Sequence, residues 1–323
     1  MRAIQISETG GPEVLTTAEL PDPTAGPGTL LVQVAAAGVN YIDTYHREGI
    51  YPLPLPRVLG LEGVGRVREV GEGVDGFAVG DRVAWAECPG SYAEVVAVPA
   101  ERAVPVPDGV SDEVAVGALL QGMTAHALVF DTYPVAAGDD VLVHAAAGGL
   151  GLLLTQFAAA RGARVIGTVS SAEKEELARG AGAADVVRYT EVDDLAGAVR
   201  ALTGGAGVAV AYDSVGASTF DASLAALRKR GMLVLCGASS GPVPPLDPQR
   251  LNQAGSVYLT RPKLFDYIAT PDELRARAAA VYSAVADGSL DVRIGHRYPL
   301  AEAASAHTDL QARRTTGKVL LIP

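Results

Sequence analysis

Two patterns of apolar and polar positions follow one another along the chain. Up to residue 123, short runs such as 30–36 and 64–70 alternate apolar with polar residues and are broken by Gly, Pro and polar clusters. Period-two alternation interrupted by turns predicts strands, and residues 1–9 read as the first of them. The clusters Gly71-Glu72-Gly73-Val74-Asp75-Gly76 and Gly80-Asp81 supply residues that accept positive φ at turns. The first third therefore predicts a rolled β domain, whose strands need not be parallel.

Beyond residue 135 the pattern changes. A buried-strand run at 140–144 leads through a Gly-rich turn into 150–161, which has helical periodicity and no breaker. Strand 164–169, helix 172–179, strand 185–189, helix 193–202, strand 208–214, helix 218–227, strand 231–236 and an apolar run at 256–259 follow. Parallel neighbours need crossovers long enough to hold a helix, so this alternation predicts a doubly wound parallel sheet over 124–264. Helix-like stretches at 271–286 and 298–312 and a terminal strand at 318–322 complete the chain. A piece of about 60 residues makes a marginal core alone, so 265–323 is expected to rejoin the domain formed by 1–123. The fold class is α/β.

Composition narrows the classes of function. Lys and Arg number 26 against 37 Asp and Glu, a net charge of −11, and Lys174, Lys229, Lys263 and Lys318 are dispersed. Nucleic-acid binding concentrates positive charge on one face, so no nucleic-acid partner is expected. No apolar stretch reads as reaching about 18 residues without Gly, Pro or charge, and no membrane span is expected. The N-terminus lacks the basic start and apolar run of a secretory signal. Cys88 and Cys236 alone make neither a disulfide framework nor a structural zinc cluster, which points to a reducing, cytoplasmic setting.

Candidate chemistry centres on the turn after the run at 140–144. Ala145-Ala146-Ala147-Gly148-Gly149-Leu150-Gly151 has the spacing AxxGxxG, a variant of the dinucleotide loop. Ala145 permits the tight exit from the strand, Gly148 lets backbone approach a pyrophosphate, and Gly151 lets the helix pack on the sheet. Helix amides then face the phosphates. A Gly-rich turn alone is also an ordinary α/β connection; its position between a buried strand and a helix favours the nucleotide. At the end of the second strand, where an acidic residue would hold an NAD ribose, stand Ser170 and Ser171, with Lys174 on the next helical turn. Hydroxyls, amides and an ammonium suit a 2′-phosphate and favour NADPH, although helix capping is the plainer role of either Ser. Arg261, ahead of Pro262, is a charged fork suited to a phosphate or an acceptor pocket, or else a surface ion pair.

With that loop in mid-chain after a Gly-rich β domain, the sequence resembles the zinc-independent quinone oxidoreductases of the medium-chain dehydrogenase/reductase superfamily. The resemblance runs through Gly38-Val39-Asn40-Tyr41-Ile42-Asp43, Leu59-Gly60-Leu61-Glu62-Gly63-Val64-Gly65, Gly122-Met123-Thr124-Ala125 and His144-Ala145-Ala146-Ala147-Gly148-Gly149. It continues in Tyr212-Asp213-Ser214-Val215-Gly216, Thr260-Arg261-Pro262 and the tail 320–323. It implies a GroES-like first domain rejoined by the C-terminal segment, a Rossmann nucleotide domain, and homodimers formed through the nucleotide domains. Zinc-dependent alcohol dehydrogenases of the superfamily hold their catalytic metal with a Cys and the His of a Gly-His-Glu triplet. Here Asn40 and its neighbours offer no thiolate, the triplet reads Gly60-Leu61-Glu62, and the loop of four Cys is missing. His46, His126, His144, His296 and His307 have no metal-ligand spacing such as HExxH. No metal is expected.

By the same resemblance, Asn40 and Tyr45 lie beside the nicotinamide, Tyr51 is a further pocket candidate, and Thr124 contacts the nicotinamide side. Tyr189, Ser214, Arg313 and the turn Cys236, Gly237, Ala238, Ser239 line the nucleotide site, with Ala147, Gly148, Gly149, Leu150 and Gly151 on the phosphates. Relatives often carry a Tyr where this chain has Ala127 and an aromatic where it has Cys236, which implies an acceptor pocket of different shape.

The reaction implied is a metal-free transfer of hydride, or of electrons in steps, from NADPH to a quinone. Without a Lewis acid, acceptors with a low barrier to hydride attack are favoured. An NADPH-dependent enoyl reductase, acting on an olefin conjugated to a carbonyl, is the rival. Tyr45 or Tyr51 is a candidate proton donor, but a phenol of pKa about 10 is a slow acid near neutrality, so water is the alternative. An ordinary half-buried Tyr is an equally good reading of either. A non-enzymatic NADPH-binding structural or RNA-binding role is the distant alternative.

Overall fold

The computed structural model describes residues 1–323. The chain forms two units, one of Met1–Met123, Ile268–Gly288 and Val292–Pro323, the other of Thr124–Tyr267 with Ser289–Asp291. The second unit closes at Tyr267 rather than at 264, where Thr132 Oγ1 donates to the Tyr267 hydroxyl at 2.9 Å.

In the first unit, the main sheet runs in the order Ile294–Pro299, Lys318–Ile322, Thr29–Val39, Glu62–Val70, Arg82–Trp85, Ala103–Pro105, with Val95–Pro99 also paired to Thr29–Val39. All these pairs are antiparallel except the first, which is parallel. Leu30, Val32 and Val34, two residues apart on one face, pack with Val67, Val83, Val96 and Trp85. Burying each such aliphatic side chain is worth roughly 1.5–3 kcal/mol. The indole N–H of Trp85 reaches Ser91 Oγ at 2.9 Å, so its burial leaves no polar group unpaired. The terminal strand sets Val319 opposite Val39.

Two helices interrupt what reads as an all-strand region. Tyr41–Glu48 starts where Asp43 Oδ2 accepts the Asn40 backbone N–H at 2.8 Å, and ends at Gly49, whose φ of 78° an L side chain rarely adopts. Asp112–Ala127 continues into a wider turn, Leu128–Thr132. The run Asp112–Thr132 is long and apolar enough to cross a bilayer by length and composition, against the expectation that no stretch would be. Gly117 and Gly122 do not break it, because single glycines are tolerated in a helix; they admit Ile294 and Val281, whose methyls a Cβ would meet at 2.7 and 2.8 Å. Most of this helix is buried inside the protein, which accounts for its apolar character.

In the second unit, six parallel strands lie in the order Asp185–Arg188, Arg164–Val169, Asp140–Val143, Val208–Asp213, Leu227–Leu235, Tyr258–Thr260. The chain winds outwards from Asp140–Val143 in one direction and then returns to build the other half. Ligands of open α/β sheets bind beyond the strand ends at such a reversal. Leu142, Ile166, Val208, Ala211 and Leu233 from the strands pack with Val199, Phe220 and Leu224 from the helices.

Two expected elements are redrawn. The helix expected over 218–227 is Phe220–Ala226, and the next strand begins at Leu227, not 231. The stretch 298–312 is not one helix but the end of strand Ile294–Pro299, a turn, and helix Ala303–Gln311. Pro299 lacks the N–H that a helix interior would use.

Candidate active site

The nucleotide loop follows the central strand. Ala145 has φ 50°, and Gly148, in extended conformation, precedes helix Gly149–Ala160. No side chain caps this helix and no acidic residue stands in its first turn. Its leading N–H groups therefore keep their partial positive charge for an anion. A Cβ on Gly151 would run into the carbonyl of Ala145 and lie 2.8 Å from Ala146 Cα, whereas at Gly148 the one near atom is Ala145 O at 3.2 Å. The helix thus packs hard on the loop at one glycine and leaves the backbone approachable at the other. This cradle fits the pyrophosphate of a dinucleotide.

The other strand ends of the same unit carry the remaining candidates there. Ser171 caps Ala172–Gly180, its Oγ accepting the Lys174 N–H at 3.4 Å. Tyr189 N–H donates to Val169 O at 3.1 Å. Ser170, Ser171, Lys174 and Tyr189 thereby gather at the ends of two paired strands. Ser239 N–H reaches Ser214 O at 3.3 Å, and Arg261 Nη1 donates to Gly237 O at 3.2 Å, which lays the guanidinium on the turn 236–239. Burial pushes the Cys236 thiol up to about 12, with the Asp213 carboxylate adding to the effect, and burial pushes Cys88 equally to about 12. Neither is a thiolate near neutrality. Thr124 opens this unit, whereas Asn40, Tyr45, Tyr51 and Arg313 belong to the other.

Tyr41 and Tyr45 stand one turn apart on their helix, with ring centroids 5.7 Å apart, and Tyr51 meets Tyr45 edge-on at 5.5 Å. Tyr45 is buried, and Tyr51 is 37% exposed. Asn40 is set in a buried polar cluster. Its Nδ2 donates to Glu62 Oε1 at 2.7 Å, and its Oδ1 accepts from Lys318 Nζ at 3.0 Å and Gln121 Nε2 at 3.1 Å. Glu62 Oε1 is also paired with Lys318 Nζ, and Oε2 accepts the Leu120 N–H at 3.1 Å. Gly38 makes room for this carboxylate, since a Cβ there would run into Glu62. Sequence reasoning finds Asn40 but not Glu62, Gln121 or Lys318. The available signal is a lysine at the head of the apolar terminal run Lys318–Ile322.

Residues 26–108 match the alcohol dehydrogenase GroES-like domain, and residues 149–268 match the zinc-binding dehydrogenase family. A quinone oxidoreductase of Pseudomonas aeruginosa is 45% identical over 100% of this chain and 99% of its own. The chain belongs to the quinone oxidoreductase family. Among solved structures, a mycobacterial protein in complex with NADPH is 55% identical, with a TM-score of 0.98 over 100% of both chains. A 2-haloacrylate reductase of Burkholderia is 41% identical over 99% of this chain and 98% of its own. The family frame gives the first unit its GroES-like β fold and the second its Rossmann nucleotide fold. A zinc ion, implied by one matched family's description, does not fit the residues present. Asn40 and Leu61 offer neither thiolate nor imidazole, and both oxygens of Glu62 are occupied by Lys318, Asn40 and Leu120.

Proposed function

We propose that this quinone oxidoreductase family member reduces quinones with NADPH and uses no metal to do so. The observation that carries the reading is the uncapped helix terminus at the reversal of the parallel sheet, in a chain similar to quinone oxidoreductases over its full length. When bound, NADPH supplies the hydride. Residues 147–151 hold the pyrophosphate through backbone amides, Ser170, Ser171 and Lys174 take the 2′-phosphate, Tyr189 and Arg313 line the nucleotide, and Arg261 serves a phosphate or the acceptor pocket. Ser214 and the turn 236–239 line the nucleotide, and Thr124 serves its nicotinamide side. Asn40 donates a hydrogen bond to the acceptor oxygen on which negative charge develops. Tyr45 and Tyr51 offer ring surface to a planar acceptor, and the proton comes from one of these phenols or from water.

Incubation with NADPH and, separately, 1,4-benzoquinone, 9,10-phenanthrenequinone, crotonyl-CoA and 2-chloroacrylate tests the assignment. Quinone turnover insensitive to a strong chelator is expected. Turnover of the thioester or the haloacrylate alone overturns it. The second reading, reduction of a conjugated olefin, is favoured by the likeness to the 2-haloacrylate reductase.

The working form we propose is a cytoplasmic homodimer. Strand Tyr258–Thr260 is the edge of the nucleotide sheet and Tyr258 is 60% exposed, which supports pairing through that edge. Two free cysteines support a reducing compartment. A monomer by light scattering would remove the dimer.

A further inference from the structure

The amide of Asn40 has a fixed orientation. An ammonium, Lys318, faces its oxygen, and a carboxylate, Glu62, faces its nitrogen. Turning the amide over would set N–H groups against the ammonium and a carbonyl against the carboxylate. Asn40, Glu62 and Lys318 are at most 4% exposed, so water does not soften that penalty. An amide oxygen accepts two hydrogen bonds and an amide nitrogen donates two. Here Lys318 and Gln121 take both places on Oδ1, and Glu62 takes one hydrogen of Nδ2. One N–H remains. Whatever reacting molecule Asn40 meets, it meets as a donor, and the charge of Lys318 on the carbonyl oxygen polarises that N–H.

The sheet builds this arrangement from three strands. Val319 pairs with Val39, which brings Lys318 beside Asn40, and Gly38 pairs with Glu62. Stability alone does not call for the charges, because a buried ion pair is often no better than apolar residues of the same volume.

We propose that Lys318 is a positioning residue for the reduction, holding the Asn40 amide as a single-hydrogen donor to the acceptor oxygen. The inference rests on the reading of Asn40 given under the proposed function.

Lys318→Met strips the counter-ion from Glu62 and is expected to lower the melting temperature. Lys318→Met/Glu62→Gln puts a neutral pair in the same volume. It should regain most of that temperature while kcat with a quinone stays on the order of 10- to 100-fold down and the NADPH dissociation constant, read by fluorescence titration, stays near that of the wild type. Recovery of both melting temperature and kcat overturns the role of Lys318. Asn40→Ala keeps the two ideas apart. If it turns over like the wild type, the reading of Asn40 falls; if it is slow while the double variant is fast, the Lys318 inference alone falls. Should the double variant not regain its fold, the side-chain amide NMR signals of Asn40 in the unaltered protein decide. Strongly inequivalent, slowly exchanging hydrogens are expected, and equivalent, fast-exchanging ones overturn the proposal.

Discussion

His144 Nε2 lies 2.8 Å from Ser223 Oγ, and this hydrogen bond has only one possible direction. Ser223 gives its single hydroxyl hydrogen to Asp213 Oδ2 at 2.6 Å, so the histidine donates and Nε2 carries the proton. Nδ1 then accepts from Thr168 Oγ1 at 2.9 Å. The other oxygen of Asp213 accepts the N–H groups of Val215 and Gly216, both at 2.9 Å, and the Thr219 hydroxyl at 2.8 Å. Burial pushes His144 below its usual pKa, which keeps the ring neutral. One chain of bonds thus ties the residue that leads into the nucleotide loop to the turn that carries Ser214.

Ser223→Ala leaves the His144 N–H without an acceptor and takes a donor from Asp213, both deep in the core. A loss of roughly 1–3 kcal/mol in urea unfolding is expected, with weaker NADPH binding because the turn beyond Asp213 loosens. A variant as stable as the wild type would show that the hydrogen bond does not run as deduced.

Asp43 and His307 pull the pH dependence of stability in opposite directions. Both bond the Tyr92 hydroxyl, Asp43 Oδ2 at 2.8 Å and His307 Nε2 at 3.2 Å. Burial pushes Asp43 up to about 7, and its Oδ1 has no partner. The folded protein keeps a proton there that the unfolded chain releases above about pH 4, so this contribution is present in acid and is lost as pH rises towards 7. Burial, with the Arg47 charge beside it, pushes His307 down to about 3. The unfolded chain takes up a proton below about pH 6.5 that the folded ring refuses, so this contribution is lost as pH falls towards 3. Asp43→Asn removes the first slope and leaves the second. Stability of that variant is expected to climb more steeply than the wild type between about pH 4 and 6.5 and then level off. Parallel curves from denaturant titrations would dismiss the role of Asp43.

The sequence carries the parallel sheet because its inner strands are built on unbroken apolar runs, as at 208–212. Helix Tyr41–Glu48 is illegible by the same criterion, since five of its eight residues are polar and its apolar side, Tyr41, Ile42 and Tyr45, is too short to show a period; an Asn40–Asp43 cap with a terminal glycine defines it. Strand Leu227–Leu235 shows only its second half, because exposed Arg228, Lys229 and Arg230 hide the first. The nucleotide loop is legible because its spacing is local. The partners of Asn40 are not, because Glu62 lies 22 residues away and Lys318 lies 278 away. Strand register alone joins them, and one sequence does not display register.

In the proposed site, Lys174 is the residue that separates the two nicotinamide cofactors. Placed there, its ammonium meets a 2′-phosphate in NADPH that NADH lacks, and a hydrogen bond to a charged group is worth roughly 1.5–3 kcal/mol. Lys174→Ala should therefore raise the KM for NADPH on the order of 10- to 100-fold and leave the KM for NADH nearly unchanged. Equal changes in the two would take Lys174 out of the 2′-phosphate site.

Gly148 and Gly151 separate binding from folding. At Gly151 an added methyl meets the backbone of Ala145 and Ala146, which has no side-chain freedom to yield. Gly151→Ala is expected to lose roughly 1–3 kcal/mol of stability as an overpacked contact, and with it the shape of the loop. At Gly148 the φ of −78° suits any L residue, and Ala145 O at 3.2 Å needs to give only slightly. Gly148→Ala should therefore unfold at nearly the wild-type urea concentration. In the proposed site its methyl, however, stands where the backbone comes close to the pyrophosphate, so the NADPH dissociation constant should rise on the order of tenfold or more, about 1.4 kcal/mol. Wild-type NADPH affinity in a well-folded Gly148→Ala protein would mean that the phosphates rest elsewhere than on this loop.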